Sequence, residues 1–357
     1  MNILQRYVAA SLVRGWLLVL LVLAAVFGLL GFIQELDHTR FDYDPMAVAQ
    51  YTLLTLPQRL LSLAPVVALL GSIVALANLD RFNELTVMSC AGIGFSQLLA
   101  AIILPTLLLM GTLWLGMEYV TAPLHQSAEK QRHALRYRND DRIPNGGVWS
   151  KHGQRYIHLG KMHSDGSPGD IDLYEFGPDG SLQLALHAQT AEVSADRTWL
   201  FMGVRRKQQV DGSLLTKGLK ELKISNLWAP DELPSLTLSS DSMTLSTLYS
   251  YSQYLQANQQ SAAKYINAFW QKISMPLTVA AMVLLATPIS ANLGSRRERN
   301  FGVNMAIGSL TGILFYLGAQ IVFALGQLLA LNEALVAFSP AAIVLLCALF
   351  LIRSIRW

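Results

Sequence analysis

The chain has 357 residues, 52% hydrophobic and only 14% charged, where an ordinary soluble domain carries about a quarter charged. The formal net charge of +3, with no basic run interleaved with aromatics, excludes a protein that tracks a nucleic-acid backbone. The charge deficit is concentrated at the two ends of the chain, so the composition indicates an integral membrane protein with a soluble insert.

Arg6 and Arg14 precede an apolar run from Trp16 to Ile33, which ends in "QELDH" rather than at a small-residue cleavage site. A signal peptide's apolar region spans only about 7–15 residues, so this run predicts a retained transmembrane helix. Five further stretches, approximately 52–78, 96–120, 268–290, 302–330 and 337–353, each supply the roughly 20 apolar residues that cross ~30 Å of hydrocarbon. Pro57, Pro65, Pro105, Pro276 and Pro288 fall inside them, which membrane helices tolerate where neighbours satisfy the freed backbone groups. The chain therefore divides into residues 1–120 with spans one to three, 121–265 of different character, and 266–357 with spans four to six.

The middle region reads as strands. "YIHLG", "IDLYEF", "LQLALHA", "TWLFMGV" and "LKELKI" are short mixed or alternating runs, separated by "SDGSPGD", "GPDGS", "SADRT" and "VDGS", which carry turn chemistry. Regular spacing of this kind predicts an all-β sandwich or open barrel. "HQSAEKQRHALRYRN" (125–139) reads as a helix leaving span three, and "TLSTLYSYSQYLQANQQ" (244–260) as a helical or loop-like return. The chain's cysteines, Cys90 and Cys347, lie outside this insert, so it is expected to be stable without a disulfide.

Orientation follows from lysine and arginine near span ends. Arg6 and Arg14, "SRRERN" (295–300), Arg353 and Arg356 fall on one side if the spans alternate. That side is the cytoplasm, with both termini; the acidic loop "DHTRFDYDP" (37–45) and the β-rich insert lie opposite.

One segment, "LDRFNELTVMSCAGIG" (79–94), fits neither neighbouring span. Asp80 is a candidate N-cap, "GIG" is a natural stop, and the intervening residues predict a short helix over 80–92. Phe82, Leu85 and Met88 recur at a spacing that puts them on one face, with Arg81 and Glu84 on another. A charge at the bilayer centre costs about 2.5–3.5 kcal/mol, so this helix lies at or beyond the inner surface. Periodicity alone leaves two readings open: a helix resting in the headgroups, or a peg that fits a groove on a cytosolic partner. The chain has no G-x-x-x-x-G-K-[ST]; "LGKMHS" (159–164) lacks the upstream glycine and the following Ser/Thr. It therefore does not cradle ATP itself, and its energy comes from elsewhere.

Three stretches, "RFNELTVMSCAG" (81–92), "EYVTAP" (118–123) and "KYINAFWQKISMPL" (264–277), together with six spans and an inserted β-domain, resemble the LptF/LptG permeases of the Gram-negative lipopolysaccharide exporter. "LSTLYSYSQYL" (245–255) ahead of the last stretch resembles the LptG branch rather than its LptF paralogue. The resemblance implies an α-helical membrane protein of six transmembrane helices with a jellyroll-like periplasmic domain between spans three and four. It implies an inner-membrane permease that moves lipopolysaccharide to a periplasmic bridge for outer-membrane biogenesis and makes no covalent bond. The implied partners are an LptF-like paralogous permease, a cytosolic LptB-like ATPase dimer that binds the ATP and Mg, and an LptC-like membrane-anchored periplasmic protein. It also implies that the 80–92 helix is the coupling helix, with Glu84 meeting basic residues of the ATPase, and Arg81, Phe82, Leu85 and Met88 beside it.

An anionic glycolipid calls for cations near the outer surface. Candidates are Arg40, the helix bearing Lys130, Arg132, His133 and Arg136, and the re-entry residues Lys264 and Lys272. Relatives place lysines inside and just beyond span one; this chain has Gly31, Asp37 and His38 there, with Arg40 slightly later. Span five carries Gly308 and Gly312 as G-x-x-x-G and also Gln320, which mark helix interfaces. His152, His158 and His163 do not form a recognised metal-ligand spacing, and no nucleophile motif such as G-x-S-x-G is present. A lipid-modifying envelope enzyme or an ion-coupled transporter would need a clustered catalytic site or mid-span carboxylates; Glu118 lies near an outer span end.

Overall fold

The computed structural model describes residues 3–39, 43–136, 147–163, 167–210, 213–228, 240–292, 301–329 and 331–354. In chain order the helices begin with α1 (Ile3–Leu36), α2 (Pro45–Ser62), α3 (Ala64–Arg81), α4 (Glu84–Cys90), α5 (Phe95–Gly116) and α6 (Ala122–Arg136). Strands β1 (Val148–His152), β2 (Arg155–Met162), β3 (Pro168–Phe176), β4 (Leu182–Val193), β5 (Trp199–Val210) and β6 (Ser213–Ile224) follow. Then come α7 (Leu245–Ala257), α8 (Ala263–Asn292), α9 (Phe301–Leu328) and α10 (Glu333–Ser354). Residues 1–38, 45–128 and 263–357 form one compact unit, and 39–44 with 129–262 a second.

Among the described residues, six helices are long and apolar enough to cross a membrane. They are Ile3–Leu36, Ala64–Arg81, Phe95–Arg132, Ala263–Ser290, Met305–Leu328 and Glu333–Arg353. The second expected span, 52–78, is two helices instead of one. The break is at Leu63, because Pro65 in the first turn of α3 has no N–H to continue the ladder from α2. Pro105, Pro276 and Pro288 remain inside helices.

The helical core is built on α3 and α8, the most buried of the six spans. Ala68, Leu69, Ile73 and Leu76 of α3 meet Val8, Leu12 and Trp16 of α1, Ile102 of α5, Met282 and Ala286 of α8, and Ala348 of α10. Small residues set the α1–α3 distance. A β-carbon on Gly15 would overlap the Gly71 carbonyl oxygen, and one on Gly71 would come within 2.7 Å of Trp16 Cα. That closeness lets the Trp16 indole N–H donate to Ser72 Oγ at 2.9 Å, satisfying both groups inside the bundle. The outer faces of α1 and α9 stay exposed, with Leu17, Leu21 and Leu29 on one, and Leu310, Leu314 and Leu317 on the other.

The second unit holds one six-stranded antiparallel sheet in sequential order β1 to β6. The expected strings "GPDGS" and "SADRT" connect its strands, while "SDGSPGD" and "VDGS" lie partly outside the described residues; in "GPDGS", Ser181 donates its backbone N–H and its hydroxyl to Asp179, holding that exposed carboxyl below its usual pKa. The expected sandwich or open barrel takes the form, among the described residues, of a single antiparallel sheet whose apolar face is covered by a helix. Ile157, Leu159, Ile171, Leu173, Leu186 and Phe201 bury that face against Leu227, Trp228 and the tyrosines of α7. Trp199 Nε1 donates to the Trp228 carbonyl at 2.8 Å, and Trp228 Nε1 donates to the Tyr254 hydroxyl. Tyr254 in turn donates to the Lys151 carbonyl at 2.9 Å, which fastens α7 to β1. The opposite face carries Trp149, Tyr156 and Tyr174, and a cross-strand row in which Asp172 lies 2.9 Å from His187 and 3.5 Å from His158. Among the described residues no three acids, histidines or cysteines converge as metal ligands.

Candidate functional site: the turn between α3 and α5

The apolar run of α3 stays helical through Arg81, so Asp80 lies in its last turn and is not an N-cap. The chain reverses one step later: Phe82 closes α3, and Asn83 stands at φ 58°, ψ 14°, as N-cap of α4. Asparagine is one of the few residues with a side chain that accept this left-handed conformation. The single helix expected over 80–92 is therefore the seven-residue α4, Glu84–Cys90, set off by a turn. Its C-terminus follows the "GIG" signal. Gly92 takes φ 84°, its N–H bonds the Ser89 carbonyl at 3.0 Å, and the Ile93 N–H bonds that of Met88 at 3.1 Å. These paired bonds satisfy carbonyls that the helix end would otherwise orphan. Gly94 then opens α5, and its N–H donates to Gln97 Oε1 at 3.3 Å.

Burial divides the segment into an anchor and a tip. Leu85 is only 9% exposed and Met88 packs beside it, both against the helical core. They were expected on one contact face with Phe82; the turn at Asn83 takes Phe82 out of that helix and leaves Leu85 and Met88 holding it down. Phe82 and Val87 are 64% and 65% exposed, and Arg81 is exposed beside them. Val87 had not been singled out, because a face assigned from 80–92 as one helix omits it.

Glu84 is half-buried, and its Oε1 accepts a hydrogen bond from the Tyr7 hydroxyl of α1 at 2.8 Å. Its Oε2 is covered and has no hydrogen-bond partner among the described residues. Tyr7 also escaped the sequence reading: nothing local marks a contact across 77 positions.

The lipid-facing candidates fall on separate segments of the chain. Arg40 lies outside the described residues. Lys130 is exposed on α6, and Arg132 stands 3.9 Å from Glu129 one turn before it; His133 and Arg136 follow on the same helix. Lys264 is exposed and Lys272 half-buried in the first turns of α8. Gly308 and Gly312 face α3, where added β-carbons would meet Ile73 Cδ1 at 2.6 Å and Val66 Cγ1 at 3.2 Å. Gln320 is exposed on the other side of α9, between Leu317 and Ile321.

These features, two groups of spans joined by a β-sheet unit and a short helix standing out of the second span, agree with comparisons across the whole chain. Residues 6–354 match the family described as lipopolysaccharide export system permease LptF/LptG. The chain is 29% identical to the lipopolysaccharide export system permease protein LptG of Escherichia coli strain K12 over 363 aligned residues, covering 98% of each. It is 27% identical to the protein of the same name from Haemophilus influenzae over 328 residues, 90% of each. With the fold, the span pattern and a family match over residues 6–354 in agreement, the chain belongs to the LptF/LptG family of lipopolysaccharide export permeases.

Proposed function

We propose that this chain is the LptG-like permease subunit of an ATP-driven exporter, lifting lipopolysaccharide out of the inner membrane and handing it to a periplasmic bridge. Both termini and α4 lie in the cytoplasm and the β-sheet unit in the periplasm. The distribution of Arg6, Arg14, Arg353 and Arg356 supports this orientation. An LptF-like paralogue completes the lipid path, an LptC-like anchored protein extends it, and a cytosolic LptB-like ATPase dimer binds ATP and Mg.

The observation that carries the reading is the α3–α5 turn. Phe82 before the turn and Val87 on α4 stand more than half exposed beside a half-buried carboxylate, while Leu85 and Met88 on the other side of α4 pack into the helical core. Phe82 and Val87 together offer an apolar contact that a groove on a cytosolic partner would cover. Seated in a groove of the ATPase, Phe82, Val87 and Arg81 make the contact, Glu84 pairs with a basic residue there, and Leu85 and Met88 transmit the displacement to α3. Closure of the ATPase around ATP then moves α3 and, through the Gly15–Gly71 crossing, α1.

The test is a detergent pull-down from native membranes, wild type against Glu84→Arg. We expect the ATPase to be recovered with wild type and lost with the variant, which remains inserted, while lipopolysaccharide export stops. Recovery of the ATPase with both forms and unimpaired export would refute the docking role.

A further inference from the structure

The first three strands of the sheet alternate with period two, and their two faces differ in chemistry. One face carries Ile157, Leu159, Ile171 and Leu173, which Trp228 and the tyrosines of α7 cover. The other carries Trp149 and Lys151 of β1, Tyr156 of β2 and Tyr174 of β3. The register sets Lys151 opposite Tyr156, and Tyr156 opposite Tyr174. Trp149, two strands away from Tyr174, stacks with it at 6.0 Å between ring centroids and 20° between planes, and it remains 60% exposed.

These residues line a concavity of about 560 Å³, inside the ~300–1,000 Å³ range of small-molecule sites. Phe176 completes the lining, edge-on to Tyr156 at 5.5 Å. Two turns frame it: Gly153 and Gly180 take φ 61° and 79°, and a β-carbon on either would meet nothing within 4 Å. Both turns are fastened. The Gly153 N–H donates to Asn258 Oδ1 at the end of α7 at 3.1 Å, and the Ser181 hydroxyl donates to Asp179 at 2.7 Å. The site is therefore formed before a ligand arrives, which lowers the cost of binding. Polar groups stand among the rings. The Lys151 ammonium lies 5.6 Å from the Tyr156 ring centroid, a cation–π distance, and Gln154 adds an amide. The side chains of Lys151, Gln154, Tyr156 and Tyr174 make no hydrogen bond to the described residues.

That composition selects among ligands. An acyl chain calls for aliphatic walls like those of the covered face, and this lining has no Leu, Ile or Val among the described residues. A sugar ring presents a flat face of C–H groups, which packs on the electron-rich face of an aromatic ring. Its rim of hydroxyls needs donors and acceptors. Four aromatic rings with an amide, an ammonium and two phenols supply both. We propose that this face of β1–β3 binds a saccharide ring, and that its ligand is the sugar portion of the exported lipopolysaccharide. The assignment rests on the export function and the periplasmic placement proposed above.

The experiment titrates the full chain in nanodiscs with lipid-free core oligosaccharide, released from lipopolysaccharide by mild acid, and reads binding by saturation-transfer NMR. Trp149→Ala should weaken binding about threefold to tenfold, Trp149→Phe should weaken it less, and laurate should compete poorly. Circular dichroism should show the sheet retained in both variants, because most of the Trp149 side chain is exposed. A wild type that does not bind the oligosaccharide, or a Trp149→Ala that binds it equally well, would overturn the proposal. So would full displacement by laurate, which would make the face an acyl-chain surface. Loss of association with the paralogous permease in Trp149→Ala, at unaltered oligosaccharide binding, would make it a protein interface and overturn the proposal too. Lipopolysaccharide export by the complete wild-type complex is scored in parallel. Export without oligosaccharide binding removes this site alone, whereas absent export removes the reading on which it rests.

Discussion

At φ 58° Asn83 does what a valine or isoleucine in its place would resist, and the whole α3–α5 turn hangs from that one conformation. The left-handed region costs a branched residue about 1–2 kcal/mol relative to the ordinary helical one. Asn83→Gly should therefore leave α4 in place, whereas Asn83→Val should loosen it by about that amount; hydrogen exchange across residues 84–90 reads the difference. Beside it, the Tyr7 hydroxyl fixes the Glu84 carboxylate and ties the start of α1 to the start of α4. Tyr7→Phe keeps the ring and removes only that bond. We expect ATPase recovery to persist while export per ATP hydrolysed falls about threefold, measured in reconstituted vesicles; unchanged coupling would show that the bond merely decorates the surface. Of these two residues the sequence announces only the first, and only in part. A polar asparagine between two helical runs invites a turn, but a tyrosine on the opening turns of a hydrophobic helix carries no sign of its distant acceptor.

Elements were legible where one periodicity dominates over their whole length. The unbroken apolar run of Trp16–Ile33 identifies α1 on its own, and the glycine-rich string around Asp179 marks a sheet corner without any knowledge of pairing. Strand β1 was not visible, because "VWSKH" is short and its partner "RYIHL" supplies the register. The division of α2 from α3 was hidden for a different reason: Pro65 signals a break, but Pro57, only two turns earlier, is absorbed within a helix. Single sheet against sandwich turned on α7, which lies more than twenty residues beyond β6 in the chain and covers the apolar face through Tyr254. Tyr254→Phe removes the acceptor for the Trp228 indole and the donor to Lys151, leaving a buried N–H unsatisfied at about 1–3 kcal/mol. The melting temperature of the β-sheet unit should fall while its sheet content by circular dichroism is retained. At the α1–α3 crossing the same logic runs through volume: Gly71→Leu drives a side chain into Trp16, and overpacking of about 1–3 kcal/mol or more should appear as lost thermal stability in detergent.

At the scale of the molecule, the two helices least covered by the chain itself are α1 and α9. Leu310, Ile313, Leu314, Leu317, Ile321 and Leu325 make the outward face of α9 apolar apart from two exposed amides, Gln320 and, two turns on, Gln327. Hydrocarbon accepts the leucines equally well on a lipid-facing or a protein-facing helix, so they do not discriminate between the two. The Gln320 amide does: in lipid its donors and acceptor go unsatisfied, and against a second polypeptide they find partners. The opposite edge of α9 is already committed to α3 through Gly308 and Gly312, so the amide is left for a neighbouring chain. If that neighbour is the paralogous permease, Gln320→Leu should leave the melting temperature of the isolated chain unchanged or slightly raised. Its association with the paralogue should weaken by about 0.6–2 kcal/mol, the measured range for interhelical hydrogen bonds in membranes. Titration of one labelled permease against the other in nanodiscs reads this as roughly a threefold to thirtyfold shift in the dissociation constant. A variant that associates as tightly as wild type would mean that this face of α9 meets lipid, and that the two permeases join along α1 alone.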